Sequence, residues 1–117
     1  MRHKLGDKAR LLHISEAIIH IENFLTDIDF DNFNENKLVQ SAVERQLEII
    51  EEAVTTITDE LKTKYSKVEW PSIKKFRNVI AHEYFGISTQ IVWGVVFKEI
   101  PVLKQQIAEI LIDLDNP

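Results

Sequence analysis

The chain has 117 residues, a net charge of −5, 44% hydrophobic residues and no cysteine. That length suits one domain over residues 1–117 with a core of its own, and the lack of cysteine excludes a disulfide framework, a thiolate metal site and a cysteine nucleophile and fits a reducing cytoplasm. No apolar run reaches the roughly 18 residues of a membrane span, and the charged residues 1–7 have no apolar stretch behind them, so neither a membrane anchor nor a signal peptide is expected.

The first stripe, Leu11, Ile14, Ile18, Ile21 and Leu25, recurs at helical spacing and predicts a helix over 5–27. It carries His13, expected near a cleft or the core, and His20, expected on the surface like His3. Residues 27–36 are rich in Asp and Asn, which favour turns and caps; they read as a loop pinned by Phe30 and Phe33, with Asn34 as the cap of the next helix. Val43, Leu47, Ile50, Val54, Ile57 and Leu61 then predict one long helix over 35–63, with Glu44, Glu48, Glu51, Glu52 and Asp59 on its opposite face.

A basic loop follows. Trp70 precedes Pro71, which suits the first position of a third helix over 71–84, and Gly86 stops it. Ile91 to Phe97 is rich in β-branched residues, but a lone strand would have no partner. A fourth helix is therefore expected over 88–98, capped by Ser88, and a fifth from Pro101 to Leu114. Trp70 and Trp93 read as core or interface aromatics. The sum is an all-α antiparallel bundle of about five helices, two long and three shorter.

Charge is uneven along the chain. Residues 16–60 hold twelve acids against Lys37 and Arg45, whereas Lys62, Lys64, Lys67, Lys74, Lys75 and Arg77 face only Glu69 in the stretch that follows. A local positive field can gather polyanions on an acidic protein, although a lysine-rich loop is often only solvated. This basic stretch leads into Arg77-Asn78-Val79-Ile80-Ala81-His82-Glu83-Tyr84, where the reactive side chains are concentrated. On a helix Asn78 and His82 share a face, Arg77 can reach across to it, and Val79 and Ile80 turn toward the core.

Histidine can exchange a proton near neutral pH, and an arginine fork stabilises charge on a phosphate. RNA can be cut internally without a metal if one group takes the 2′-OH proton and another protonates the leaving 5′-oxygen. The octapeptide has one such group, His82, so this chemistry calls for two copies across a two-fold axis. From spacing alone, a lone helical histidine is more often a hydrogen-bonded structural residue than a catalyst. No set of side chains has a convincing metal-ligand spacing, and neither metal nor cofactor is expected.

Arg77-Asn78-x-x-x-His82-x-Tyr84 resembles the motif of the HepT-like branch of the HEPN superfamily. Residues 10–14 and 42–50, Trp70, residues 84–87, Val92-Trp93 and residues 101–104 are similar to the family's other helices in the same order. The family pattern has glycine where this chain has Glu51, which brings a side chain and a charge to a point of close helix approach. The resemblance implies a HEPN-like homodimer, the ribonuclease toxin of a type II toxin–antitoxin pair. Arg77, Asn78 and His82 would form a composite cleft, with Lys74 and Lys75 as candidate RNA contacts. It also implies an MntA-like nucleotidyltransferase antitoxin that transfers AMP onto Tyr84. A second reading is a non-catalytic partner that only binds nucleotide or accepts AMP.

Overall fold

The computed structural model describes residues 2–76 and 89–116, with side chains from residue 6 onward. All regular elements among them are helical: α1 (Arg2–Phe24), α2 (Phe30–Glu35), α3 (Lys37–Thr56), α4 (Asp59–Lys64), α5 (Trp70–Lys74), α6 (Thr89–Gly94), a π-helical turn (Val95–Glu99) and α7 (Ile100–Asp115). The expected all-α bundle is present. No helix among the described residues is long and apolar enough to cross a membrane.

The predicted stripe of α1 is its buried face, with Leu11, Ile14, Ile18 and Ile21 all essentially inaccessible. It packs along α3, and α7 lies against α1. Side-chain ties fix the directions. Asp7 and Arg10, early in α1, reach Thr58 and Thr56 beyond and at the end of α3. Lys104 pairs with Glu22 at 2.8 Å, and Lys8 with Asp115 at 2.7 Å, so α7 also runs antiparallel to α1. Such exposed pairs add little energy, but they record the register.

Helix α1 ends through Asp27, whose φ of 59° lies in the left-handed region that Asp tolerates better than most residues. The expected loop then holds a short helix. The Asp29 carboxylate accepts from Asn32 N–H and opens α2, while the Asn36 side chain accepts from Val39 N–H and opens α3. The cap is thus Asn36, not Asn34, because Asn34 still lies within α2. The phenylalanines do pin this segment: Phe33 is fully buried, and both Phe30 and Phe33 pack on the Trp93 ring, at 5.7 and 5.2 Å.

The long second helix is two helices. The chain leaves helical geometry at Ile57, and Thr58, with φ −66° and ψ 151°, starts α4 by accepting from Leu61 N–H. Ile57 and Leu61 are both buried, so the apolar period continues across the break and hides it. In contrast, the two helices expected over 88–114 run together. Gly94 and Ile100 have helical dihedrals on either side of the π turn, and Ile100 N–H donates to Val95 O. The cause is Pro101, which has no N–H and crowds the carbonyl four residues back. A wider turn before it lets the chain stay helical through the proline. The β-branched run is helical because Val92, Val95 and Val96 fill the core.

His13 is exposed rather than in the core, and His20 is on the surface, stacked on Phe24 at 6.1 Å. Glu51 is half-buried on the outer face of α3, beside Glu48, Glu52 and Thr55, and its carbonyl accepts from the Thr55 hydroxyl at 2.9 Å. The predicted third helix beyond residue 76, its stop at Gly86 and the Ser88 cap lie outside the described residues, as does the His3 side chain.

Candidate functional site

Arg77, Asn78, His82 and Tyr84 lie outside the described residues. What the structure describes is the platform that leads to them. Helix α4 closes with Tyr65 N–H on Leu61 O, and the chain then turns sharply: Val68 N–H donates to Tyr65 O at 3.2 Å and Trp70 N–H to Val68 O at 2.9 Å. The Trp70 indole N–H also donates to Tyr65 O, at 3.2 Å. A buried indole needs such a partner, and this one ties the start of α5 to the turn after α4, while α5 packs on α3. Leu61, Val68, Trp70, Ile73 and Phe76 form the buried seam, so the residue before Arg77 is a core anchor.

Lys74 and Lys75 are exposed at the end of α5, where cations complement the helix dipole. Lys62, beside Leu61 on α4, is half-buried. Burial, then the neighbouring Lys74 charge, hold its ammonium below the ordinary lysine pKa, with Asp59 and Asp7 opposing more weakly. Lys62 belongs to the basic stretch of the sequence, but nothing in its spacing singled it out.

On the other side of α5 an open groove of about 180 Å³ runs between this helix and α7, lined by Ser72, Ile73, Phe76, Val102, Leu103 and Gln106 among others. Its walls are mainly apolar but also include Glu69, Lys98 and Glu99. Among the described residues no group of three His, Asp or Glu side chains could hold a metal ion.

A family model described as ribonuclease HepT-like matches residues 14–110. A Methanocaldococcus jannaschii protein named as a gamma-glutamylcyclotransferase and candidate RNase is 38% identical over 109 residues, covering 93% of this chain and 49% of that relative. The chain thus spans about half the length of that protein. A candidate RNase of Caldanaerobacter subterraneus subsp. tengcongensis is 39% identical, over 86% of this chain and 90% of its own. A Thermococcus cleftensis protein named as a candidate ribonuclease HepT is 38% identical, over 86% of this chain and 92% of its own. No solved structure matches the chain.

Proposed function

This chain belongs to the ribonuclease HepT-like family, and on that premise we propose that it is a metal-independent endoribonuclease working as a cytoplasmic homodimer, the toxin of a type II toxin–antitoxin pair. The observation that carries this reading is that the match, residues 14–110, spans the whole of Arg77-Asn78-x-x-x-His82-x-Tyr84. Residues 1–117 would form one HEPN-like domain.

In this reading one copy's His82 takes the proton from a ribose 2′-OH. The 2′-oxygen attacks the adjoining phosphorus, and the bond to the 5′-oxygen breaks. His82 of the second copy gives a proton to that leaving oxygen, and the products are a 2′,3′-cyclic phosphate and a free 5′-OH. Arg77 stabilises the charge growing on the phosphoryl oxygens, Asn78 orients the phosphate, and Lys74 and Lys75 hold the strand. An MntA-like antitoxin would silence the site by directing the Tyr84 phenol onto the α-phosphate of ATP, with release of pyrophosphate. The AMP would bring bulk and negative charge beside Arg77.

Incubation with RNA in EDTA tests the reading. The wild type should cut, and His82→Ala and Arg77→Ala should be slower by about 10²–10⁴-fold. A substrate with 2′-deoxyribose at the cut site should resist. Cleavage that persists in His82→Ala, or that requires a metal, overturns the proposal. A protein that accepts AMP on Tyr84 but never cuts would be the non-catalytic nucleotide-binding partner.

A further inference from the structure

Gly94 stands inside the continuous helical run made by α6 and the π turn, with φ −60° and ψ −44°. Glycine is, after proline, the least favourable residue in a helix interior, and what it offers in return is a left-handed backbone or a close approach. The backbone here is ordinary helix, and a Cβ added at Gly94 would meet no described neighbour within 4 Å. Nothing described inside the protomer therefore requires this glycine. Phe97, three residues on and so on the same side of the helix, is 53% exposed. Its ring is held on Trp93 at 4.4 Å, and Trp93 in turn packs on Phe30 and on the fully buried Phe33. An empty notch thus lies beside an exposed ring that the core holds in place. Gly6 is open as well, but Arg2, His3 and Arg10 stand three and four residues from it on α1, so it makes no apolar notch.

We propose that Gly94 and Phe97 are the notch and the knob of a two-fold interface with a second copy of this chain. A two-fold interface uses one patch on both subunits, so the patch must complement itself, and a knob and a notch on one face meet that need. A second copy crossing at Gly94 brings the two helices close, seats each Phe97 beside the other copy's glycine and covers the exposed edges of Trp93 and Phe30. Aromatic anchors in a closely packed centre carry most of the energy of such an interface. Phe97 is already ordered by Trp93, which lowers the cost of fixing it. The occupant is a second copy because the chemistry calls for one: cleavage needs two proton-transfer groups, and each chain brings His82. Thr89 opens α6 and follows Tyr84 closely in the chain, so an axis through α6 lies within a short length of chain from both copies of the motif. The inference rests on the composite-site reading and says which surface would build that site.

Cysteine cross-linking and sedimentation velocity test this on the full chain. The chain has no cysteine, so Gly94→Cys carries a single thiol. Across the proposed axis two such thiols meet the separation a disulfide needs, about 4.4–6.8 Å between Cα atoms, and mild oxidation should link most of the protein as a dimer. Ile112→Cys, 63% exposed and far along α7, should not link. Gly94→Leu fills the notch and Phe97→Ser removes the knob. Each should raise the dimer dissociation constant by about 30-fold or more, keep the helical circular dichroism of the wild type, and lose RNA cleavage where it is monomeric. If the wild type is a dimer but Gly94→Cys does not link, or Gly94→Leu and Phe97→Ser dimerise as tightly as the wild type, this surface is overturned while the ribonuclease reading stands. If the wild type cuts RNA in EDTA as a monomer, the interface and the shared site both fall and the nuclease remains. If it dimerises through this surface but cuts no RNA, the interface stands and the ribonuclease reading falls.

Discussion

The Asp7 carboxylate receives two hydrogen bonds from Thr58, one from its backbone N–H at 2.9 Å and one from its hydroxyl at 2.6 Å. Asp7 is only 5% exposed. The same hydroxyl accepts from Leu61 N–H, at 3.3 Å, and so starts α4. A carboxylate on the first helix thereby fixes where α3 stops and in which direction α4 leaves. Asp7→Ala would strand a partly buried N–H and should cost roughly 1–3 kcal/mol of stability. Thr58→Ala loses the cap and should cost about 1–2 kcal/mol. The double variant should cost less than the two together, since each removes part of one network. Urea unfolding followed by tryptophan fluorescence measures all three, and additive losses would show that the residues act independently.

That contact also marks the limit of what could be read from the chain. The stripe of α1 was legible because burial follows the helical period closely, from Leu11 to Leu25. The break at Ile57 and Thr58 was not, because Ile57 and Leu61 stay in phase across it. Yet Thr58 followed by Asp59 and Glu60 is a local start signal that an unbroken apolar period overrides. The π turn before Pro101 was not legible either, because proline also suits the start of a new helix, whereas here the helix runs through it. Residues 77–84 were legible as chemistry, through their side-chain types. The turn at 65–70 was not, since its geometry rests on the Trp70 indole reaching Tyr65 O.

Gln40 should matter more than the cap beside it. Its side-chain amide donates to Phe33 O at 2.8 Å and Asn34 O at 3.0 Å, and the residue is 4% exposed. These carbonyls belong to the end of α2, where helical partners run out. Gln40→Leu keeps the bulk, leaves Phe33 O with only the Asn36 N–H and takes a donor from Asn34 O, at a cost of about 1–3 kcal/mol. Asn36→Ala removes a more exposed cap and should cost about 1 kcal/mol. Equal losses in a denaturant titration would contradict this ranking.

Alkaline stability should depend on Tyr65. Burial first, and then its hydrogen bond to Asp113 at 2.9 Å, raise its phenol above the usual value. A raised acid stabilises the fold below its unfolded pKa, near 10, and loses that contribution as pH climbs through the folded value. Lys62 is lowered and works the other way: its penalty is full at neutral pH and fades as pH rises toward the ordinary lysine value. Melting temperatures from pH 8 to 11 should therefore fall less steeply above about pH 10 in Tyr65→Phe than in the wild type. Lys62→Gln should melt no lower than the wild type at neutral pH. Parallel curves for Tyr65→Phe and wild type would remove Tyr65 from the account.

Tyr84 separates catalysis from its control. In the proposed mechanism the phenol is the AMP acceptor and moves no proton in RNA cleavage. Tyr84→Phe should cut RNA within about 10-fold of the wild-type rate, because the proton-transfer groups remain. Incubated with the nucleotidyltransferase and ATP labelled in its α-phosphate, it should take up no label and stay active. A Tyr84→Phe protein as slow as His82→Ala would instead place the phenol in the chemistry.

The composite cleft makes a quantitative claim about mixed dimers. If base and acid are the two copies of His82, a dimer with one His82→Ala subunit has half of the pair and is inactive. Equal amounts of wild type and His82→Ala, exchanged to equilibrium, leave only about a quarter of dimers with both histidines. Activity should then fall to about half of that shown by the same wild-type protein diluted with buffer, and further with excess variant. If each subunit worked alone, the variant would only dilute, and the activity per wild-type chain would stay constant. The titration therefore separates a site shared by two copies from one complete in each, using the rate of RNA cleavage in EDTA as its only readout.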